Sequence, residues 1–304
     1  MNNTIYFHNG SNSVLARLII SFLRIYGMHK RMKRKILKDK YRKYPAKIPG
    51  SIRNNFHVSK TDLSGRKTWT FSNSSKISNT FIIYIHGGAY YSNIIRFQWN
   101  FVKKLLHKTN AKIIVPDYPL APEHNVEEVY SFMETLYRKI IQEHENQRIV
   151  LIGDSAGGGL ALGFAQFLRD KNLKQPSDLI LLSPWLDLTM INPIVSNYAK
   201  SDKILNINAL KIAAKKYSGN ISTKDYRVSP VFGSFYGLGR ISLFTSTNDI
   251  LYADAQKLKF SLDHDKTPFN YYEYKNLFHD WPLITFLKES AHVTEKIQEI
   301  LMIK

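Results

Sequence analysis

Ile149-Val150-Leu151-Ile152-Gly153-Asp154-Ser155-Ala156-Gly157-Gly158-Gly159 is the stretch on which the reading of this chain turns. An apolar, β-branched run of strand length stops at Gly153, and residues 160–168 then carry apolar side chains at helical spacing. The order is strand, tight turn, helix. A serine at the apex of such a turn adopts a strained backbone, and small residues on either side let strand and helix approach without clashing. The hydroxyl then points outward, where the free N–H groups of the new helix converge. Small residues recur together in many ordinary turns; the strand before this Gly-x-Ser-x-Gly and the helix after it mark Ser155 as a candidate nucleophile.

Outward from this turn, composition bounds the rest. A chain of 304 residues with 44% hydrophobic and 13% aromatic content can bury a full core, which fits one α/β catalytic domain with an accessory segment. There is no cysteine, so disulfides, thiolate catalysis and thiolate metal sites are excluded. The formal charge of +19 is uneven: residues 1–50 hold 12 Lys or Arg against Asp39 alone, and the remainder holds 31 against 23 acidic residues. Such local basicity points to an anionic partner at the N-terminal segment and argues against a nucleic-acid groove across the body.

Residues 1–11 are polar and are expected to be loose. Residues 14–26 are apolar except for Arg17, Ser21 and Arg24, which fall on one narrow helical stripe. The length and the two arginines speak against a membrane span, and the lack of a basic lead and a small-residue cleavage site speaks against a secretory signal. Residues 28–43 are densely basic, with Met32 and Ile36 continuing an apolar spacing until Pro45. Two readings stand for residues 12–45, a solvated basic helix docked by its apolar face and a helix resting on an anionic membrane surface. The expected location is cytoplasmic, with a peripheral membrane contact as the second reading.

Beyond Pro49-Gly50 the pattern changes to short strands. Residues 55–63 and 66–71 resemble a hairpin around Ser64-Gly65, and the Ser/Asn-rich residues 72–79 read as a loop. Strands are expected at 80–85, 112–115, 148–152, 179–182, 241–244 and 269–274, with helices near 97–106, 126–144, 210–217, 253–262 and 291–303. Strands alternating with helices imply right-handed crossovers and a mostly parallel sheet covered on both faces. The alternation is interrupted between Asp187 and Asn220, which reads as an inserted helical cap. The division expected is a basic amphipathic segment over 1–50, contributing to the cap, and a catalytic domain over 51–304 with its cap insertion at about 188–220.

Acyl transfer by serine needs a base beside the hydroxyl, an acid to orient that base, and donors for the oxyanion. Asp249 follows the strand at 241–244 and His279 follows the strand at 269–274, where a parallel sheet presents active-site loops. Asp249 could instead cap the helix that begins near Leu251, and Asp254 is the competing acid. No histidine shows metal-ligand spacing, so no metal site is expected. The turn His86-Gly87-Gly88-Ala89 just past a strand brings backbone N–H groups together; Gly87 and Gly88, with Ala156 after the serine, are the expected oxyanion donors.

These motifs resemble the hormone-sensitive-lipase group of α/β-hydrolase esterases: His86-Gly87-Gly88-Ala89-Tyr90, the run from Asp117 to His124, the run from Gly153 to Gly158, and the run from Ser183 to Thr189. With Asp249-Ile250-Leu251 and Phe278-His279-Asp280-Trp281, the resemblance covers roughly residues 80–300. It implies an α/β-hydrolase fold with an eight-stranded sheet, a cap of N-terminal helices plus the segment near 190–220, and cofactor-free hydrolysis of carboxylic esters. Ala89 stands where the group more often has a third glycine, leaving open which of Gly87, Gly88 and Ala89 donate. Tyr90, Tyr91, Trp185, Phe278 and Trp281 are the expected pocket aromatics, with core packing as the other use of such rings. The expected activity is a serine carboxylesterase for short- to medium-chain acyl esters; the alternatives are an acyltransferase or deacetylase using the same Ser155, His279 and Asp249, and an anion-binding module without catalysis.

Overall fold

The computed structural model describes residues 3–73 and 78–302. Nine strands form one sheet: β1 (Thr4–His8), β2 (His57–Leu63), β3 (Arg66–Ser72), β4 (Thr80–Ile85), β5 (Lys112–Pro116), β6 (Arg148–Asp154), β7 (Asp178–Leu182), β8 (Arg240–Ser246) and β9 (Phe269–Tyr274). Their order across the sheet is β1-β9-β8-β7-β6-β4-β5-β3-β2. Only β3 runs against the others, pairing antiparallel with both β2 and β5. The central strands read as continuous apolar runs because both of their faces are covered. Along β4, Phe81, Ile83 and Ile85 enter one core while Ile82 and Tyr84 enter the other, the alternation a pleated strand imposes.

The helices are α1 (Val14–Tyr26), α2 (Met28–Leu37), α3 (Gly50–Arg53), α4 (Arg96–Thr109), α5 (Val126–Glu143), α6 (Ala156–Asp170), α7 (Val195–Tyr198), α8 (Ile207–Ser218), α9 (Tyr252–His264) and α10 (Lys288–Met302). Helices α5, α6, α8 and α9 pack into the core with Ile83 and Ile85, and α1, α3, α4 and α10 into the core with Ile82 and Tyr84. The doubly covered, mostly parallel sheet is the α/β-hydrolase fold, as expected from the alternation of elements.

The N-terminal residues depart from expectation. Residues 4–8 are not loose: β1 pairs parallel with β9 from Thr4 opposite Asn270 to His8 opposite Tyr274, so the sheet has nine strands rather than eight. Thr-Ile-Tyr-Phe-His is a sequence of β-branched and aromatic residues, hidden in the reading by its polar flanks. Tyr6 packs against His292 with ring centroids 4.9 Å apart, which ties this edge to α10.

Gly27, at φ 64°, separates α1 from α2. Helix α1 docks through Ala16, Ile19, Ile20 and Leu23, while Val14, Leu18, Phe22 and Ile25 remain exposed on its outer side. Helix α2 sends Ile36 into the other core and packs against α8. Of the loop expected over 72–79, residues 74–77 lie outside the described residues, as does residue 303 of the last expected helix. Among the described residues, no helix is long and apolar enough to cross a membrane.

Candidate active site

Strand β6 delivers Ser155 at φ 51°, ψ −120°, a backbone conformation that only a sharp strand-to-helix turn imposes on a serine. The turn is held from both sides: Ser155 N–H donates to the Leu182 carbonyl at 2.8 Å, and the Ser155 carbonyl accepts from Gly158 and from Trp185. Gly157 must be glycine, because a Cβ there would press on the Ile85 carbonyl and lie 2.7 Å from that of His86. Close approach between helix α6 and the end of β4 is what brings the serine beside the glycine loop.

Neighbouring parallel strands supply the other two groups. Asp249 leaves the end of β8 and His279 leaves the end of β9, both on the edge of the sheet where Ser155 emerges. His279 Nε2 lies 2.9 Å from Ser155 Oγ, and Nδ1 lies 2.7 Å from Asp249 Oδ2. A carboxylate only accepts, so Nδ1 carries the proton in that contact, and Nε2 can accept from the serine hydroxyl whenever it carries none itself. Asp249 Oδ1 accepts from Leu251 N–H at 2.8 Å in a local turn just before α9, whose first turn has no side-chain cap, while Oδ2 meets the histidine. Asp254 lies inside α9 and accepts from Asp187 N–H instead. Ser155, His279 and Asp249 are 7%, 4% and 0% exposed, so the arrangement is nearly dry. Burial opposes a charge on His279, but the carboxylates of Asp249 and then Asp280 outweigh it and hold its pKa well above the ordinary imidazole value.

In the glycine loop Gly87 N–H donates to Asp154 Oδ2 at 2.9 Å, an engagement that argues against its expected use as an oxyanion donor. The N–H groups of Gly88, Ala89 and Ala156 have no backbone partner among the described residues. Gly88, Ala89 and Tyr90 all take positive φ, at 129°, 57° and 58°, which folds the loop back over the turn. Asp154 organises this loop from below, accepting also from Tyr84 Oη at 2.5 Å and Gln98 Nε2 at 2.8 Å. Burial first, then the nearby Asp280 charge, raise the Asp154 pKa to about 7. The run from Asp117 to His124 braces the loop from outside: Tyr118 Oη donates to the His86 carbonyl at 2.7 Å, and Ala121 N–H to the Tyr90 carbonyl at 2.8 Å.

The five aromatics divide. Tyr90 stacks on Tyr217 of α8 at 3.8 Å between ring centroids and lies 5.9 Å from Trp185, forming an aromatic wall on the α8 side. Tyr91 turns to the N-terminal segment, where its hydroxyl contacts Asp39, itself paired with Lys216. Phe278 and Trp281 are buried in the core shared with α4 and α10, where Trp281 packs 5.1 Å from Tyr274. They flank His279 on a sharp turn, and their packing holds that turn against the core. Two residues with no signal of their own in the sequence also touch the site. Asp202 braces the Asp249 loop by accepting from Ile250 N–H at 3.0 Å, and Asp280 Oδ2 lies 3.2 Å from His279 Nε2. Two surface recesses, of about 360 and 430 Å³, lie away from the three side chains; Lys30, Lys33, Arg34 and Lys38 line the first. Among the described residues, no group of histidines and carboxylates could hold a metal ion.

Fold, elbow and dry Ser-His-Asp contacts define a class, and the chain belongs to it: residues 82–283 match the family described as alpha/beta hydrolase fold. Within that class it is 33% identical over 180 residues to an esterase of Acinetobacter venetianus, a match covering 59% of each chain. It is 30% identical over 206 residues to a triacylglycerol lipase of Mycobacterium tuberculosis, covering 67% of this chain and 43% of the lipase. The chain thus spans about three fifths and two fifths of the length of these curated relatives. Its fold is shared with a hormone-sensitive lipase from a metagenome library, at a TM-score of 0.79 and 23% identity over 94% of this chain and 97% of that one. That is the group its motifs resemble.

Proposed function

We propose that this protein is a serine carboxylesterase that hydrolyses short- and medium-chain acyl esters through an acyl-enzyme. The observation that carries this is the run of contacts from Ser155 Oγ to His279 Nε2, at 2.9 Å, and from His279 Nδ1 to Asp249, at 2.7 Å, beside unpartnered N–H groups. In the first half-reaction Ser155 Oγ attacks the ester carbonyl carbon while its proton passes to His279 Nε2. The carbonyl electron pair moves onto oxygen, which receives hydrogen bonds from Ala156, Gly88 and Ala89 N–H. As the intermediate collapses, the carbon–oxygen bond to the alcohol breaks and His279 returns the proton to the leaving oxygen. Water then repeats the sequence on the acyl-enzyme and frees the acid. Relatives named esterase and triacylglycerol lipase support ester chemistry of this kind.

We read α1, α2 and the segment from about 188 to 220 as the cap over this site, with residues 1–50 as its N-terminal part and 51–304 as the catalytic domain. The packing of α2 against α8 and the stacking of Tyr217 on Tyr90 support that division. An acyl chain gains about 0.8 kcal/mol per methylene only while the methylene is buried, and the aromatic wall of Tyr90, Trp185 and Tyr217 supports a limit on that length. The same N-terminal segment would rest on an anionic, cytoplasm-facing bilayer. The exposed Val14, Leu18, Phe22 and Ile25 would enter the interface, and the basic face of α2 would sit at head-group level.

Turnover across chromogenic esters of increasing acyl length, together with labelling by a fluorophosphonate probe, tests the reading. Turnover should peak at short or medium chains, and the label should vanish in Ser155→Ala. Rates that keep rising to long-chain emulsified triglycerides would overturn the chain-length assignment, and equal labelling of both proteins would overturn the nucleophile.

A further inference from the structure

Asp280 follows the histidine directly, yet its carboxylate turns back toward it. Oδ2 lies 3.2 Å from His279 Nε2, the same nitrogen that lies 2.9 Å from Ser155 Oγ. The residue sits at φ 57°, its N–H directed at Ser183 Oγ at 3.4 Å, so the sharp turn itself aims the side chain inward. Its second oxygen, Oδ1, is shut off from solvent with no hydrogen-bond partner among the described residues. A carboxylate so poorly satisfied weakens the fold rather than strengthening it. Its remaining contact is with the group proposed as the base.

We propose that Asp280 is a positioning residue that retains a proton between its Oδ2 and His279 Nε2, so that His279 accepts from Ser155 only after the pair has released that proton. This rests on the reading of His279 as the base. A base must offer Nε2 as a lone pair, whereas a carboxylate on Nε2 requires a proton in the contact, whichever of the two atoms holds it. Asp280 therefore opposes the resting form that Asp249 orients. The release is a plain ionisation: one proton goes to solvent, Asp280 is left as carboxylate, and His279 is left neutral with Nδ1–H on Asp249.

Other titratable groups lie close by. Asp249 from the β8 loop and Asp202 from the loop before α8 face the imidazole, and Asp154 at the end of β6 faces Asp280 and accepts from the Tyr84 hydroxyl of β4. The charges of Asp249 and Asp280 hold the His279 proton more tightly against the effect of burial, in keeping with an imidazole pKa well above its ordinary value. The acid limb of ester turnover should then lie above the ordinary imidazole range, set by Asp280 as well as by Asp249.

The decisive variant is Asp280→Asn, because asparagine tolerates the left-handed backbone and preserves the shape without the charge. Asp280→Gly removes the side chain altogether at a position glycine adopts without strain. Two readouts apply: the pH profile of kcat/KM for p-nitrophenyl butyrate, and the pH titration of the His279 ring nitrogens by NMR in protein labelled with nitrogen-15 histidine. Both variants should move the midpoint of the acid limb, and of the His279 titration, down by about one unit or more. Below the wild-type midpoint that is a gain in relative activity of about tenfold. Midpoints unchanged in both folded variants would overturn the proposal and leave Asp280 as a turn residue. Because the NMR titration needs no turnover, a protein that fails to hydrolyse esters still tests Asp280, and the two readings fail separately.

Discussion

At the residue scale, the site depends on which atoms are free and which are already committed. Ser155, His279 and Asp249 meet at 2.9 and 2.7 Å with almost no solvent among them, so each contact is worth more than it would be in water. Such groups act as a unit. Ser155→Ala should lower ester turnover by several orders of magnitude, and adding His279→Ala to it should cost little more. Steady-state kinetics of the single and double variants check this, and a double variant far below both singles would mean that the two residues act independently. Gly87 makes the complementary point. Its motif suits an oxyanion donor, but its N–H serves Asp154, while those of Gly88, Ala89 and Ala156 have no backbone partner among the described residues. No spacing in the sequence announces that contact, because it depends on where a carboxylate 67 residues away comes to rest.

At the scale of elements, α1 and α2 show a helix pair with more apolar and more basic surface than docking requires. One side of α1 is buried on the domain, and its outer row of Val14, Leu18, Phe22 and Ile25 is not. Asp39, the one acidic residue among the first 50, is engaged by Lys216, which leaves the positive charge of α2 facing outward. Charge reversal of Lys33, Arg34 and Lys35 together should abolish co-sedimentation with anionic vesicles at low ionic strength, where about 1 kcal/mol per basic residue is at stake. Wild-type binding should weaken with salt and be absent on neutral vesicles. A folded variant that sediments as well as wild type would reduce the basic run to a solvated face. Strand β1 belongs to this scale too: five β-forming residues are extended because β9 offers an unpaired parallel edge beside them.

For the whole molecule, buried carboxylates set the response to pH. Burial first, and then the charge of Asp187, raise the pKa of Asp254 to about 8. Asp154, at about 7, and Asp202, at about 6, shift in the same direction. Between the ordinary carboxylate value and the raised one, the folded chain keeps a proton that the unfolded chain releases. Stability is therefore fully present below the ordinary value and is lost as pH rises toward the raised one. Denaturant unfolding should show greater stability at about pH 5 than at about pH 8, with a slope of at most about 1.4 kcal/mol per unit from each such group. Asp254→Asn should flatten that slope, and an unchanged slope in the variant would remove Asp254 from the account.

The sequence by itself determined most of the elements and their order. Apolar runs bounded by glycine and proline, and helical spacing between them, are local properties, and they sufficed for the alternating strands and helices and for a serine in the turn after β6. The same local logic nominated His279 and left Asp249 and Asp254 as rivals. Only the tertiary structure decided that Asp249 reaches the imidazole while Asp254 turns to Asp187. It also decided that Phe278 and Trp281 serve the core, that residues 4–8 close the sheet as a ninth strand, and that Asp280 faces the nitrogen the serine uses. The physical reason is that a side chain's role is set by its contacts, and these depend on how parallel strands and the turns after them pack, which periodicity does not encode.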